Sequence, residues 1–261
     1  MKLRAEVKKC RMGTEVRHVT NEIVCLRRKS YLTCSYIVRT ADGLVLIDAG
    51  MDSNAADVKV GLKAIGERPE AIRAVLLTHW HNDHAAGAAA VHELVDAPVF
   101  YHSGDEPYLT GQTKRQGVRW WLNERIPELG MLVLFKGLLG EATPRSVKAH
   151  QLVIDGDRLF GDFEVVETHG HTPGHVAYFY RPARALFAGD ALAIINGRVR
   201  FMARPVTPNI TEARKSLRRC LSLDPAIICP GHREPLTTGV TEACNVMSRY
   251  LDSDGRWPLL G

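Results

Sequence analysis

At 261 residues, 45% hydrophobic and 24% charged, the chain has the composition of a globular protein and can bury a substantial core. No stretch has the apolar length needed to span a bilayer, and the opening MKLRAEVKKC lacks the apolar centre of a secretory signal, so a cytoplasmic location without a membrane partner is expected. The net charge of +5 is spread along the sequence, with only short clusters such as Arg27-Arg28-Lys29 and Arg218-Arg219; it is a weak hint of acidic partners, and most such charges read as a solvated face.

In chain order, residues 34–40 (CSYIVRT) and 44–48 (LVLID) are β-type runs joined by Ala41-Asp42-Gly43, a hairpin signal. A helix is predicted over 55–66, with Val58, Leu62 and Ile65 on its apolar face. Ala74-Val75-Leu76-Leu77 reads as a short buried strand, 85–95 as an alanine-rich helix and 97–102 as another strand. The segment 104–149, with Tyr108, Trp120, Trp121, Met131 and Phe135, breaks the alternation and reads as a lid or insert. Its tryptophans fit packing better than substrate contact, although aromatic residues beside a site also make pocket walls. QLVIDGDRLF and GDFEVVET (151–168) are predicted to pair, as are VAYFY (176–180) and ALFAG (185–189) across a proline-containing turn. Asn209, with Glu212 three positions on, predicts a capping box opening a helix; a strand at 226–229 and a helix near 238–251 follow. Two β-rich halves, each followed by helices, imply stacked α/β units within a single domain, 1–261. The cysteines Cys10, Cys25, Cys34, Cys220, Cys229 and Cys244 form no C-x-x-C pair, so reduced thiols are expected, with Cys25 and Cys34 facing each other if their strands pair.

The chemistry concentrates in THWHNDHAAG (78–87), which places His79, His81, Asp83 and His84 between a buried strand and a helix. With 11 histidines in the chain, frequency products give roughly 0.001 chance occurrences of His-x-His-x-Asp-His. Imidazole nitrogens and a carboxylate suit zinc and similar divalent metals. Other strand ends carry comparable residues: His169, His171 and His175 in ETHGHTPGH, Asp190 in FAGD, His232 in CPGHREP and Asp48 in LVLIDAG. Polar residues just past apolar strands are where an α/β sheet presents its functional loops.

This ordered series resembles the metallo-β-lactamase fold superfamily, over residues 48 to 232. The resemblance implies an α/β fold, a four-layer αβ/βα sandwich with two divalent metals at one edge of its central sheets. It implies that His79, His81 and His171 hold one metal and Asp83, His84 and His232 the other. Asp190 would bridge them, and Asp48 would support the site without ligating. His175 and His169 are likewise expected to support or to be structural. The implied reaction is hydrolysis by a hydroxide shared between the metals, with Asp83 both ligating and orienting the nucleophile. Zinc is the expected metal pair, with iron or manganese as alternatives.

A carboxylate at 190 departs from the β-lactamases that place a cysteine there, and resembles glyoxalase II, the acyl-homoserine lactone lactonases and the ribonuclease Z group. The basic, glycine-rich thioester-binding stretch of the first is not found, ALAIING (191–197) has no tyrosine where the lactonases place one, and the RNA-binding arm of the third is missing. The reading is therefore a dinuclear metal-dependent hydrolase of a small ester, lactone or thioester. The alternatives are β-lactam hydrolysis, persulfide dioxygenation with a single iron, and phosphodiester or ribonuclease activity. The expected partner is a small-molecule substrate rather than a nucleic acid, with a homodimer one option for the assembly. Trp80 and Asn82 are left as spacers.

Overall fold

The computed structural model describes residues 13–29, 31–113, 143–148, 150–253 and 255–259. Cys10, Trp120, Trp121, Met131 and Phe135 lie outside them, so the expected insert is described only at its two ends.

The first half forms a seven-stranded sheet in chain order. Its strands are β1 (Thr14–His18), β2 (Ile23–Arg28), β3 (Cys34–Thr40), β4 (Gly43–Ile47), β5 (Ile72–Leu76), β6 (Val99–His102) and β7 (His150–Val153). The first three pairings are antiparallel, including the β3–β4 hairpin, and the last three are parallel. The second half forms a five-stranded sheet from β8 (Arg158–Leu159), β9 (Phe163–Glu167), β10 (Val176–Tyr180), β11 (Ala185–Gly189) and β14 (Ile227–Pro230), in the order β14-β11-β10-β9-β8. A small ribbon, β12 (Ala193–Ile195) with β13 (Arg198–Arg200), follows β11.

Strand alternation explains why the sheets stack. Val45, Ile47, Ala74 and Leu76 point into one core together with Phe163, Val165, Tyr178 and Phe187 from the other sheet. Their neighbours Leu44, Leu46, Val75 and Leu77 face outward into a second core with helices α1 (Ala56–Ile65) and α3 (Ala88–Val95) and the short α4 (Glu106–Leu109). On the far side Ala177, Phe179, Leu186 and Ala188 pack against α5 (Ile210–Ser222) and α6 (Val240–Asp252). Each central strand is thus apolar on both faces, and both faces need a cover. The result is four layers, helix, sheet, sheet, helix.

Three local expectations are corrected. Residues 150–153 do not pair with 161–168; they add in parallel to β6 (Val99↔His150) and close that edge of the first sheet, leaving only Arg158 and Leu159 to pair with β9. An apolar run cannot tell which sheet edge will satisfy its backbone. The helix predicted over 85–95 begins later, as α3, and a separate short helix, α2 (Asn82–Ala85), precedes it; the loop after β4 takes the His84 carbonyl through the Ala49 N–H at 2.7 Å. Cys25 pairs with Tyr36, and Cys34 with Arg27, so the two thiols lie diagonally; the described cysteines are all free.

The predicted cap forms on one side. Asn209 Oδ1 accepts the Glu212 N–H at 3.1 Å, whereas the Glu212 carboxylate pairs with Lys215. The Asn209 N–H instead donates to Gly170 O at 3.1 Å, which fastens the start of α5 to the loop after β9. Among the described residues, no helix is long and apolar enough to cross a membrane.

Candidate metal centre

The loops that follow β5, β9, β11 and β14 meet at one end of the sandwich and bring the predicted donors together. Atoms able to bind a metal in His79, His81 and His171 lie within 4.8 Å of one another. The same holds for Asp83, His84 and His232, and for His79, His84 and Asp190. Asp190 lies between the two outer groups: its Oδ2 is 3.4 Å from both His171 Nε2 and His232 Nε2, and its Oδ1 is 3.7 Å from His84 Nε2. Gly231 makes this approach possible, since a Cβ there would lie 2.3 Å from Asp190 Oδ1 and 2.8 Å from His84 Cε1. His81 and His232 are half-buried and mark the accessible side, while the other five residues are buried.

Hydrogen bonds around the cluster set the protonation of each ring. Asp48, at the end of β4 with φ 58°, accepts the Thr78 N–H at 2.8 Å through Oδ1. Its Oδ2 accepts the Thr78 hydroxyl and His84 Nδ1–H, both at 2.9 Å. A carboxylate can only accept, so Thr78 donates its one hydroxyl proton to Asp48. His79 Nδ1, 3.0 Å from Thr78 Oγ1, must then donate to that oxygen. His171 Nδ1 donates to Val206 O at 2.6 Å and His232 Nδ1 to Tyr31 O at 3.0 Å. With all four Nδ1 positions donating outward, the Nε2 lone pairs of His79, His84, His171 and His232 turn inward.

Inside, these nitrogens crowd. His171 Nε2 is 2.8 Å from His81 Nδ1, and His84 Nε2 is 3.4 Å from His232 Nε2. His79 Nε2 and Asp190 Oδ1 are buried without a hydrogen-bond partner among the described residues. Lone pairs facing each other at such distances repel unless a proton or cation lies between them.

The electrostatics agree. Burial, together with the imidazoles of His84, His171 and His81, holds His79 well below its ordinary value, and burial also lowers His171. Burial opposes protonation of His84 too, but the Asp83, Asp190 and Asp48 carboxylates outweigh it and raise His84 to about 10. Burial pushes Asp190 upward, yet His232, His84 and His171 hold it far below the carboxylate range. The carboxylate side of the cluster therefore favours positive charge at His84 Nε2, and a cation can replace the proton there. This donor set of imidazole nitrogens and carboxylate oxygens fits borderline divalent metals.

The supporting residues are now visible. His175 Nε2 accepts the Asp190 N–H at 2.9 Å and its Nδ1 donates to Thr168 Oγ1 at 2.7 Å, so it positions Asp190 through the backbone. His169 sits outside the cluster, its Nε2 3.2 Å from Glu167 Oε2. Trp80 is buried and stacks on Tyr108 at 4.3 Å, and Asn82 is the first residue of α2. Sequence reasoning missed Thr78, Thr33 and Asp105. Thr33 Oγ1 donates to Asp83 Oδ2 at 3.3 Å. Asp105 accepts from Trp80 N, Thr172 Oγ1 and Gly174 N; burial raises it to about 6 despite those bonds. Asp105 lies three residues past β6, so the strand-end rule that flagged Asp48 and Asp190 could have found it.

Comparison with known proteins gives the same picture. The profile of the Metallo-beta-lactamase superfamily matches residues 32–232. A probable metallo-hydrolase of Bacillus subtilis, YflN, is 29% identical over 226 residues, covering 78% of this chain and 82% of that protein. A hydroxyacylglutathione hydrolase of Cereibacter sphaeroides is 28% identical over 176 residues, covering 66% of this chain and 52% of that protein. The solved structure of TTHA1623 in a di-iron-bound form is 29% identical, with a TM-score of 0.59, over 80% of this chain and 92% of that one. Profile, layer order and clustered strand-end donors agree, and the chain belongs to the metallo-beta-lactamase superfamily.

Proposed function

We propose that this chain is a metal-dependent hydrolase with a dinuclear centre that cleaves a small ester, lactone or thioester. The observation that carries the proposal is the set of four histidines whose Nδ1–H groups are bonded outward and whose Nε2 atoms converge on two carboxylates. His79, His81 and His171 would hold one cation, Asp83, His84 and His232 the other, with Asp190 shared. Bound there, two divalent cations would supply Lewis acidity and a water nucleophile active near neutral pH. Zinc suits the nitrogen-rich donor set, and the di-iron form of a relative at 29% identity supports iron as the alternative.

The chain's own residues would do the rest. Asp83, oriented by the Thr33 hydroxyl, would accept the proton of the attacking water at a carboxylate oxygen. Asp48 and Thr78 would keep His84 and His79 in the ligating tautomer, and His175 would fix the backbone of Asp190. Substrate would enter on the side of His81 and His232, where the cluster is half-buried. The likeness to a hydroxyacylglutathione hydrolase supports an acyl substrate, and the carboxylate at 190 is consistent with it.

The test is a panel of lactones, thioesters, β-lactams and phosphodiesters, each assayed before and after chelation. Hydrolysis of an acyl substrate should vanish with chelator and return with zinc, manganese or cobalt. Turnover indifferent to chelation, or confined to phosphodiesters, would contradict the proposal.

A further inference from the structure

One carboxylate outside the ligand set touches both loops that carry the three-histidine group. Asp105 ends a 3-10 turn, Ser103–Asp105, directly after β6, and is fully buried. Its Oδ2 accepts the Trp80 N–H at 3.0 Å and the Thr172 hydroxyl at 2.8 Å, and its Oδ1 accepts the Gly174 N–H at 2.8 Å. Trp80 stands between His79 and His81, and Thr172 follows His171. A single side chain therefore ties the loop after β5 to the loop after β9.

The junction is built for close approach. A Cβ on Gly174 would lie 2.4 Å from Asp105 N and 2.8 Å from Asp105 Oδ1. His102 adds a second tie, between the end of β6 and the end of β9. Its Nδ1 accepts the Gly104 N–H at 3.1 Å, so its Nε2 carries the proton and donates to Glu167 Oε1 at 3.2 Å. That tautomer also removes His102 as a metal ligand, although donors of His102, Glu167 and His169 lie within 4.8 Å of one another.

We propose that Asp105 is a positioning residue for the three-histidine cation, holding His79 and His81 in register with His171, an inference that rests on the two-cation centre proposed above. Three donors converge on its two oxygens, and only a carboxylate accepts from all of them. In Asp105→Asn the amide oxygen can serve the Trp80 and Thr172 donors, which leaves the amide NH2 facing the Gly174 N–H. Two donors then oppose each other, and the loop carrying His171 must shift. Metal ligation tolerates little displacement, and outer partners of ligands are worth about 10- to 100-fold in metal affinity.

The experiment titrates the full chain with Co2+ alone and reads visible ligand-field absorbance, in two backgrounds that each retain one cation group. His232→Ala keeps the three-histidine group, and His171→Ala keeps the other. Asp105→Asn should weaken Co2+ binding about 10- to 100-fold and shift the absorbance in the His232→Ala background only. Affinity within twofold there, or equal weakening in both backgrounds, would overturn the assignment. If Asp105→Asn does not fold, Thr172→Val removes one of the three bonds and should weaken the same ion about threefold to tenfold. Unchanged affinity in that variant would equally overturn the role of Asp105. A parent chain that binds no Co2+ would instead refute the two-cation centre itself.

Discussion

Asp83→Ala should lower hydrolysis of the acyl substrate by about a thousandfold or more, while the thermal unfolding transition stays within about 5 °C of the parent. The residue stands in two roles at once. It belongs to the group with His84 and His232, with its Oδ2 3.8 Å and 3.5 Å from their Nε2 atoms, and it is the proposed proton acceptor. Losing a positioned acid or base alone costs roughly 10²- to 10⁴-fold. The fold should tolerate the change, because α2 is held by main-chain bonds such as His84 N–H to His81 O at 2.9 Å. Steady-state kinetics beside a melting curve checks both halves, and turnover within tenfold of the parent would remove Asp83 from the mechanism.

Asp48→Asn should cost the Asp83–His84–His232 cation about 10- to 100-fold in affinity, with activity at limiting metal falling in step. The substitution changes few atoms and leaves the backbone unstrained, because asparagine tolerates the φ of 58° that Asp48 adopts. Its effect is on a proton. The Thr78 N–H is a fixed donor, so the asparagine oxygen must take the Oδ1 place, and the NH2 then faces His84 Nδ1. His84 must accept there, which moves its proton to Nε2, the atom that should ligate. Excess metal should restore part of the activity in Asp48→Asn but not in Asp83→Ala. Co2+ titrations of both variants measure this, and parental affinity in Asp48→Asn would show that the tautomer of His84 is not set by Asp48.

Those two residues illustrate what could be read from the sequence. Asp48 and Asp83 both follow apolar strands, and strand ends are visible in LVLID and AVLL without any coordinates. The stacking of α/β units was legible in the element order, two β-rich halves each followed by helices, and the four layers only through the family resemblance; runs such as LVLI and ALFAG, apolar at every position, are what demand cover on both faces. Residues 151–153 join the first sheet rather than the second because their hydropathy suits either, and the open edge of β6 decides the matter. Thr78 and Thr33 were silent because a threonine beside a ligand looks like any other threonine; only the distances to His79 and Asp83 give them roles. Asp105 was hidden by its position at the start of a segment read as an insert, whose main part lies beyond the described residues. Trp80, a spacer by sequence, is an anchor in the fold, with its ring on Tyr108 and its N–H on Asp105.

Seven side chains from four loops are proposed to hold two cations. Elemental analysis of the purified 261-residue chain, reconstituted with zinc and freed of excess metal, tests this most directly. Two divalent ions per chain are expected, falling to about one in His171→Ala and in His232→Ala. A parent chain that retains no stoichiometric metal, or a single iron with no second ion under any loading, would contradict it.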